Sequence, residues 1–193
     1  MSTALFSLEG KRALITGSSR GLGHSMAEGM ARAGAEVIIN GTDPARVEDT
    51  VAALRSAGLK ARGAAFDITD EAAIKAAFAA FDAEGLAIDI LVNNAGIQLR
   101  KPMVDLATDE FRKVIETNLT SAFVIGREAG RRMMARRQGK IVNVGSLMSA
   151  VARATIAPYT VSKAGIRALT QAMAAEWAAH GIQANAIGPG YMI

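Results

Sequence analysis

Short apolar runs alternate with longer helix-patterned stretches along almost the whole chain, and this alternation restricts the fold more than any other feature. Arg12-Ala13-Leu14-Ile15 reads as a first strand, followed by a helix from Gly21 to Ala33 that Gly34 ends. Glu36 to Asn40 is a second strand, and Pro44 to Ala57 a helix with proline early and Gly58 just past its end. Lys60 to Phe66 makes a weaker third strand, Asp70 to Ala83 a helix closed by Gly85, and Asp89 to Asn93 a fourth strand. Thr108 is expected to cap one long helix from Asp109 to about Arg136. Lys140 to Val144 is a fifth strand, Pro158 to His180 a helix, and Gln183 to Ile187 a sixth strand. The strand runs are continuous apolar runs more than alternating ones, as expected when helices cover both faces. Repeated strand–helix units with right-handed crossovers predict an α/β fold with a doubly wound parallel sheet in three α/β/α layers, the Rossmann topology.

The chain has 193 residues, enough to bury one core, and half of them are hydrophobic. There is no cysteine, which excludes disulfides and thiolate metal sites and favours a reducing, cytoplasmic home. His24 and His180 are the only imidazoles, so no metal site is expected. The net charge of +4 raises nucleic-acid binding, with the densest basic run at Arg131, Arg132, Arg136, Arg137 and Lys140. That run continues a helical pattern and ends at Gln138-Gly139, where cations complement the helix dipole. No aromatic residue interleaves with it, so no nucleic-acid partner is expected. The first residues lack the basic start and apolar core of a signal peptide. No stretch approaches the roughly 18 apolar residues of a membrane span, so a soluble protein is expected.

Directly after the first strand stands Thr16-Gly17-Ser18-Ser19-Arg20-Gly21-Leu22-Gly23. Glycines here suit a tight turn, close backbone approach to a ligand and tight helix–strand packing, and the following helix start offers N–H groups to a pyrophosphate. The spacing is Gly-x3-Gly-x-Gly, and a plain strand–helix turn would also use glycine; the position between first strand and helix favours phosphate binding. No acidic residue ends the second strand at Asn40-Gly41-Thr42, where one would hold a ribose 2′-hydroxyl and repel a 2′-phosphate. Asp43 follows as a cap for the next helix. Arg20 suits a 2′-phosphate, with Arg46 a weaker candidate, so NADP(H) is preferred over NAD(H); a solvent-exposed Arg20 is the competing reading.

Tyr159 and Lys163 lie four residues apart and share a face if Pro158 onward is helical. A phenol, with a reference pKa of about 10, is a poor base at neutral pH. A neighbouring cation favours the phenolate and makes the group usable in acid–base chemistry at a hydroxyl or carbonyl oxygen. Ser146 lies thirteen residues before the tyrosine and supplies a hydroxyl.

Thr16-Gly17-x3-Gly21-x-Gly23, Asn93-Asn94-Ala95-Gly96, Asn118, Ser146 and Tyr159-x3-Lys163 occur in that order, and together they resemble the short-chain dehydrogenase/reductase family over essentially the whole chain. The resemblance implies that Tyr159 is the general acid or base, that Lys163 tunes it and binds the nicotinamide ribose, and that Ser146 orients the substrate oxygen. Asn118 would hold a water linking Lys163 to solvent; alone it reads as a satisfied mid-helix amide. Cofactor contacts are implied for Gly17, Ser19, Arg20, Gly21, Leu22, Gly23, Asn94, Ala95, Gly96, Tyr159 and Lys163. Asp67 and Ile68 match positions near the adenine, with an ordinary turn residue as the alternative for Asp67. Pro189-Gly190 matches the turn packing near the nicotinamide. Residues 1–193 are then a single dinucleotide-binding domain, and family analogy implies a homotetramer.

Within the family, Asn94 to Arg100 and Ser146-Leu147-Met148-Ser149-x3-Arg153 are similar to gluconate 5-dehydrogenases, also called 5-keto-D-gluconate reductases. The implied reaction interconverts a secondary alcohol and a ketone on a polyhydroxy acid. Arg100 and Arg153 suit its carboxylate, because a guanidinium binds one bidentately; surface charges or subunit contacts are the alternative. Gln98 suits sugar hydroxyls, and Ser146 and Tyr159 complete the substrate set. Another ketone, such as a 3-oxoacyl thioester, and a non-catalytic dinucleotide-binding protein are the rival readings. Members of the family run further, through a substrate-covering lid to a seventh strand; this sequence stops at Ile193, so the lid and last strand are expected to be missing from it.

Overall fold

The computed structural model describes residues 3–190; Tyr191-Met192-Ile193, the chain end noted above, lies outside the described residues. Strands form where the apolar runs predict, within a residue at each end: β1 (Arg12–Ile15), β2 (Glu36–Gly41), β3 (Ala61–Ala65), β4 (Ile90–Asn93), β5 (Gly139–Val144) and β6 (Ile182–Ile187). Each is parallel to the neighbours described here, and the fold is the expected Rossmann-type α/β arrangement. The chain divides into two compact units, Met1–Asn94 and Ala95–Ile193.

In the first unit the strand order is β3-β2-β1-β4, with Leu14 opposite Ile38 on one side and Leu91 on the other. The steps β1 to β2 and β2 to β3 run outward in one direction. Right-handed crossovers therefore put α1 (Gly21–Arg32) and α2 (Pro44–Ser56) on one face, and the return step to β4 puts α3 (Glu71–Ala83) on the other. The reversal between β1 and β4 makes a topological switch point, where such sheets bind ligands outside the strands' carboxyl ends. Leu14, Ile15, Ile38, Ile39 and Leu91 are fully buried in this core.

Asn40 locks the end of β2 to the turn after β1. It is buried, and its Oδ1 accepts from the Gly17 N–H at 3.2 Å. Its Nδ2 donates to the carbonyls of Ala64 and Phe66 at 3.1 and 3.2 Å. Its main-chain N–H donates to Ser18 Oγ at 3.0 Å. The residue that leaves the second strand without an acid is thus a structural bolt for the glycine turn.

In the second unit β5 pairs with β6, Ile141 opposite Ala184. The expectation of one unbroken helix from Asp109 to Arg136 is corrected. α4 (Thr108–Ile115) and α5 (Ser121–Arg136) are joined by a π-helical turn, Glu116–Thr120, closed by the Ser121 N–H on the Glu116 carbonyl. Thr108 is the first helical residue and not the cap; Glu110 reaches back to accept from the Ala107 N–H at 2.9 Å. Single π turns are frequent at functional sites, and this one contains Asn118, which is buried. The last helix, α6 (Ala157–Trp177), continues into a short 3₁₀ turn to His180. The basic run engages protein groups. Arg131 and Arg132 pair with the buried Glu128 at 3.2 Å each, Arg137 donates to the Ala179 carbonyl, and Lys140 donates to Gln183 Oε1. Among the described residues no helix is long and apolar enough to cross a membrane.

Replacing Asn40 by Ala leaves the Gly17 N–H and two strand-end carbonyls without their partner. Only the Phe66 bond is fully buried and water can reach the other two groups, so the expected cost is about 1–3 kcal/mol, that of one buried group left unpaired, measured by urea unfolding.

Candidate functional site

In the first unit the glycine turn adopts a conformation that side chains resist. Gly17 and Gly21 have φ of 62° and 58°. Gly23 is needed for space: a Cβ there would collide with the Gly17 carbonyl and stand 2.5 Å from Asn94 Nδ2. Asn94 fastens the turn from β4, its Nδ2 donating to the carbonyls of Thr16 and Gly17 at 2.9 and 3.2 Å. Its main-chain N–H donates to Thr16 Oγ1 at 3.0 Å.

Helix α1 differs from its neighbours at its start. Asp43 and Asp70 each accept two main-chain N–H groups at the N-termini of α2 and α3. Arg20, at the same place before α1, makes no side-chain cap. The N–H groups of Gly21, Leu22 and Gly23 therefore start a helix without a capping side chain, beside glycine backbone that allows close approach. A dinucleotide's phosphates fit that cradle. Ser19 lies beside Gly41, where a Cβ would stand 2.9 Å from its Oγ. Asp67 is exposed, and its Oδ1 accepts from the Thr69 N–H and Oγ1, both at 2.8 Å, which makes it a turn residue as well as an adenine candidate. Ile68, beside it, is buried.

In the second unit a cavity of about 160 Å³ is lined by Gln98, Arg100, Ser146, Leu147, Met148, Arg153, Ile156, Tyr159, Pro189 and Gly190. The structure thus brings together all five residues expected to meet substrate, with the Pro189-Gly190 turn. The arms carrying the two arginines are tied by the Lys101 N–H, which donates to the Thr155 carbonyl at 2.8 Å. Thr155 holds a φ of 70°, the left-handed region that a β-branched residue seldom occupies.

Ser146 Oγ accepts from the Met148 N–H at 3.2 Å. With a lone pair so engaged, its own O–H is available to donate into the cavity. Tyr159 opens the first turn of α6, and Lys163 follows one turn on with its Nζ 5.6 Å from the centre of the phenol ring. Lys163 is buried, and its Nζ donates to the Val144 carbonyl at 2.6 Å. Burial pushes its pKa down to about 8.

Asn118 makes a two-way clamp on one residue. Its Oδ1 accepts from the Ile97 N–H at 2.7 Å and its Nδ2 donates to the Ile97 carbonyl at 2.9 Å. The Nδ2 also donates to Ser162 Oγ at 3.1 Å, and Ser162 Oγ donates to the Tyr159 carbonyl at 2.8 Å. Gly96 packs against the amide: a Cβ there would stand 3.1 Å from Oδ1, so a larger residue would need the amide to give way. Ala95 begins this unit, just before Gly96.

Sequence reasoning missed the apolar wall of the cavity, Leu147, Met148 and Ile156, and the linking hydroxyls of Ser149 and Ser162. The Ser146-x-x-Ser149 spacing was a readable signal, because a serine three residues past a cap can return a bond to it.

Residues 11–193 match the family model for short chain dehydrogenases. A gluconate 5-dehydrogenase of Gluconobacter oxydans is 44% identical, over 97% of this chain and 73% of that protein. A candidate gluconate dehydrogenase from Agrobacterium tumefaciens has a crystal structure with a TM-score of 0.96 at 64% identity, covering 97% of this chain and 74% of that one. A gluconate 5-dehydrogenase from Burkholderia cenocepacia, crystallised with NADP and tartrate, also gives a TM-score of 0.96, at 43% identity over 99% of this chain and 75% of that one. Glycine turn, Asn118, Ser146, Tyr159 and Lys163 thus stand in a fold shared with these enzymes, and the chain belongs to the short chain dehydrogenase family.

Proposed function

We propose that this protein is an NADP(H)-dependent oxidoreductase that interconverts gluconate and 5-ketogluconate. The observation that carries the reading is the cavity in which the Tyr159 and Ser146 side chains meet Gln98 and two arginines. Guanidiniums beside the reacting carbonyl suit a ketone that carries a carboxylate, as a sugar acid does. The Burkholderia relative's tartrate is likewise a hydroxylated carboxylate. NADP(H) is the favoured cofactor because the one acid near the end of β2, Asp43, is occupied in capping α2 and stands 3.7 Å from Arg46, while Arg20 is exposed in the turn.

Bound NADP(H) supplies or accepts the hydride. In the reducing direction the Tyr159 hydroxyl gives its proton to the substrate oxygen as negative charge develops there, and the Ser146 hydroxyl donates a second hydrogen bond to the same oxygen. The Lys163 ammonium stabilises the charge left on the phenol oxygen. Asn118 acts at one remove, holding Ile97 and, through Ser162, the main chain of Tyr159. Arg100 and Arg153 bind the carboxylate, and Gln98 a hydroxyl. Cysteine-free sequence fits a cytoplasmic setting. Exposed Phe123 on α5 and Val161 on α6 support subunit packing along these helices, in a homotetramer.

Tyr159→Phe tests the reading: turnover should fall about 10²–10⁴-fold with NADPH affinity retained, and normal turnover would sink it. Arg153→Ala or Arg100→Ala should raise KM for 5-ketogluconate about 10–100-fold while sparing an uncharged ketone. Activity on acetoacetyl thioesters exceeding that on 5-ketogluconate would favour the rival substrate. Lys163 gives a pH signature. Its folded pKa of about 8 lies below the ordinary 10.5, so between those values the unfolded chain holds a proton that the folded chain has lost. Stability therefore rises with pH across that window. Relative to Lys163→Met, the cofactor-free protein should gain up to about 3 kcal/mol there, read from urea unfolding at each end.

A further inference from the structure

Two hydroxyls that act on one substrate oxygen must keep their mutual angle, and they come from different segments. Tyr159 is fixed in α6, whereas Ser146 sits just past β5 at the start of a three-residue 3₁₀ turn, Leu147–Ser149. Ser149 closes that turn and makes two bonds in opposite directions. Its Oγ accepts from the Ser146 main-chain N–H at 3.2 Å and donates to the Lys163 carbonyl at 2.8 Å. A single hydroxyl thus spans from the main chain of Ser146 to the helical turn that begins at Tyr159 and ends at Lys163.

The surroundings are shaped to admit this bridge. A Cβ on Gly145 would stand 2.9 Å from Ser149 Oγ and 3.1 Å from the Ile187 carbonyl, so any larger residue would push the hydroxyl away. The Gly145 N–H donates to that same Ile187 carbonyl at 2.8 Å, and the Leu147 N–H donates to the Pro189 carbonyl at 3.2 Å. These main-chain bonds hold the turn against β6 and its extension, whereas the Ser149 hydroxyl ties it to the helix of the acid–base pair.

We propose that Ser149 is a positioning residue for the reaction: its hydroxyl couples Ser146 to the Tyr159–Lys163 turn and sets how the two hydroxyls converge on the substrate oxygen. The proposal rests on the roles given to Ser146 and Tyr159 above. Displacements of about 1 Å in such a site cost up to about 10²-fold in rate.

The test measures steady-state reduction of 5-ketogluconate by NADPH, with NADPH affinity, for Ser149→Ala, Ser149→Thr, Ser146→Ala and the double variant Ser146→Ala/Ser149→Ala. Ser149→Ala should lower kcat about 10–100-fold with NADPH affinity held within about twofold, and Ser149→Thr, which keeps the hydroxyl, should recover most of it. On the Ser146→Ala background the further loss should vanish, because the bridge acts through Ser146. If Ser149→Ala does not fold, Ser149→Cys, a weaker donor and acceptor, serves the same cycle. Wild-type kcat in Ser149→Ala, or an equal loss on both backgrounds, would overturn the proposal. Normal turnover in Ser146→Ala would instead overturn the reading of the site itself.

Discussion

The second unit depends on keeping one ammonium out of water. Lys163 is 5% exposed, and a buried cation is costly unless its protons find acceptors. The Val144 carbonyl at the end of β5 supplies one at 2.6 Å. That bond joins the helix of Tyr159 to the strand that leads into Ser146, so the buried charge fixes two elements against each other. A lysine on the surface would titrate normally and hold nothing in place.

Around that bond the polar groups are chained. Asn118 holds Ile97, Ser162 passes the link to the Tyr159 carbonyl, and Ser149 joins Ser146 to the Lys163 carbonyl. Buried networks of this kind rigidify a site when every member is satisfied. The first unit uses the opposite device. α2 and α3 are capped by their own aspartates, whereas α1, the helix beside the glycine turn, begins without a side-chain cap. Anion affinity there arises from what the chain leaves out.

Much of this was legible in the sequence. The apolar runs of β1, β2 and β4 stood out because parallel strands covered on both faces lack polar alternation, whereas β3 and β6, which alternate in burial, gave weaker runs. Tyr159 and Lys163 followed from helical spacing, and Asp43 was readable as a cap from Pro44 behind it. The break at Glu116–Thr120 was not legible, because a π turn needs one extra residue and no special residue type. Asn118 looked like a polar interruption of an apolar face; only its bonds to Ile97 show what it holds. Thr155 was hidden for a different reason: threonine disfavours its left-handed conformation, so local propensity points the wrong way. Gln98, Arg100 and Arg153 lie in loops, where periodicity says nothing, and only tertiary folding collects them.

The π turn also bears on how this helix tolerates change in length. Each residue of an α-helix advances the side-chain direction by about 100°. Deleting one residue within Glu116–Thr120 would restore regular α-helical hydrogen bonding, an apparent improvement in local structure. It would also swing α4 and α5 relative to one another, taking either Asn118 from Ile97 or Val124, Ile125 and Ala129 from the interior. The helix can gain or lose residues at its outer end near Thr108 without that penalty. Single-residue gaps should therefore be tolerated at the two ends of this element and not around Asn118, a constraint on length that acts through phase and not through composition.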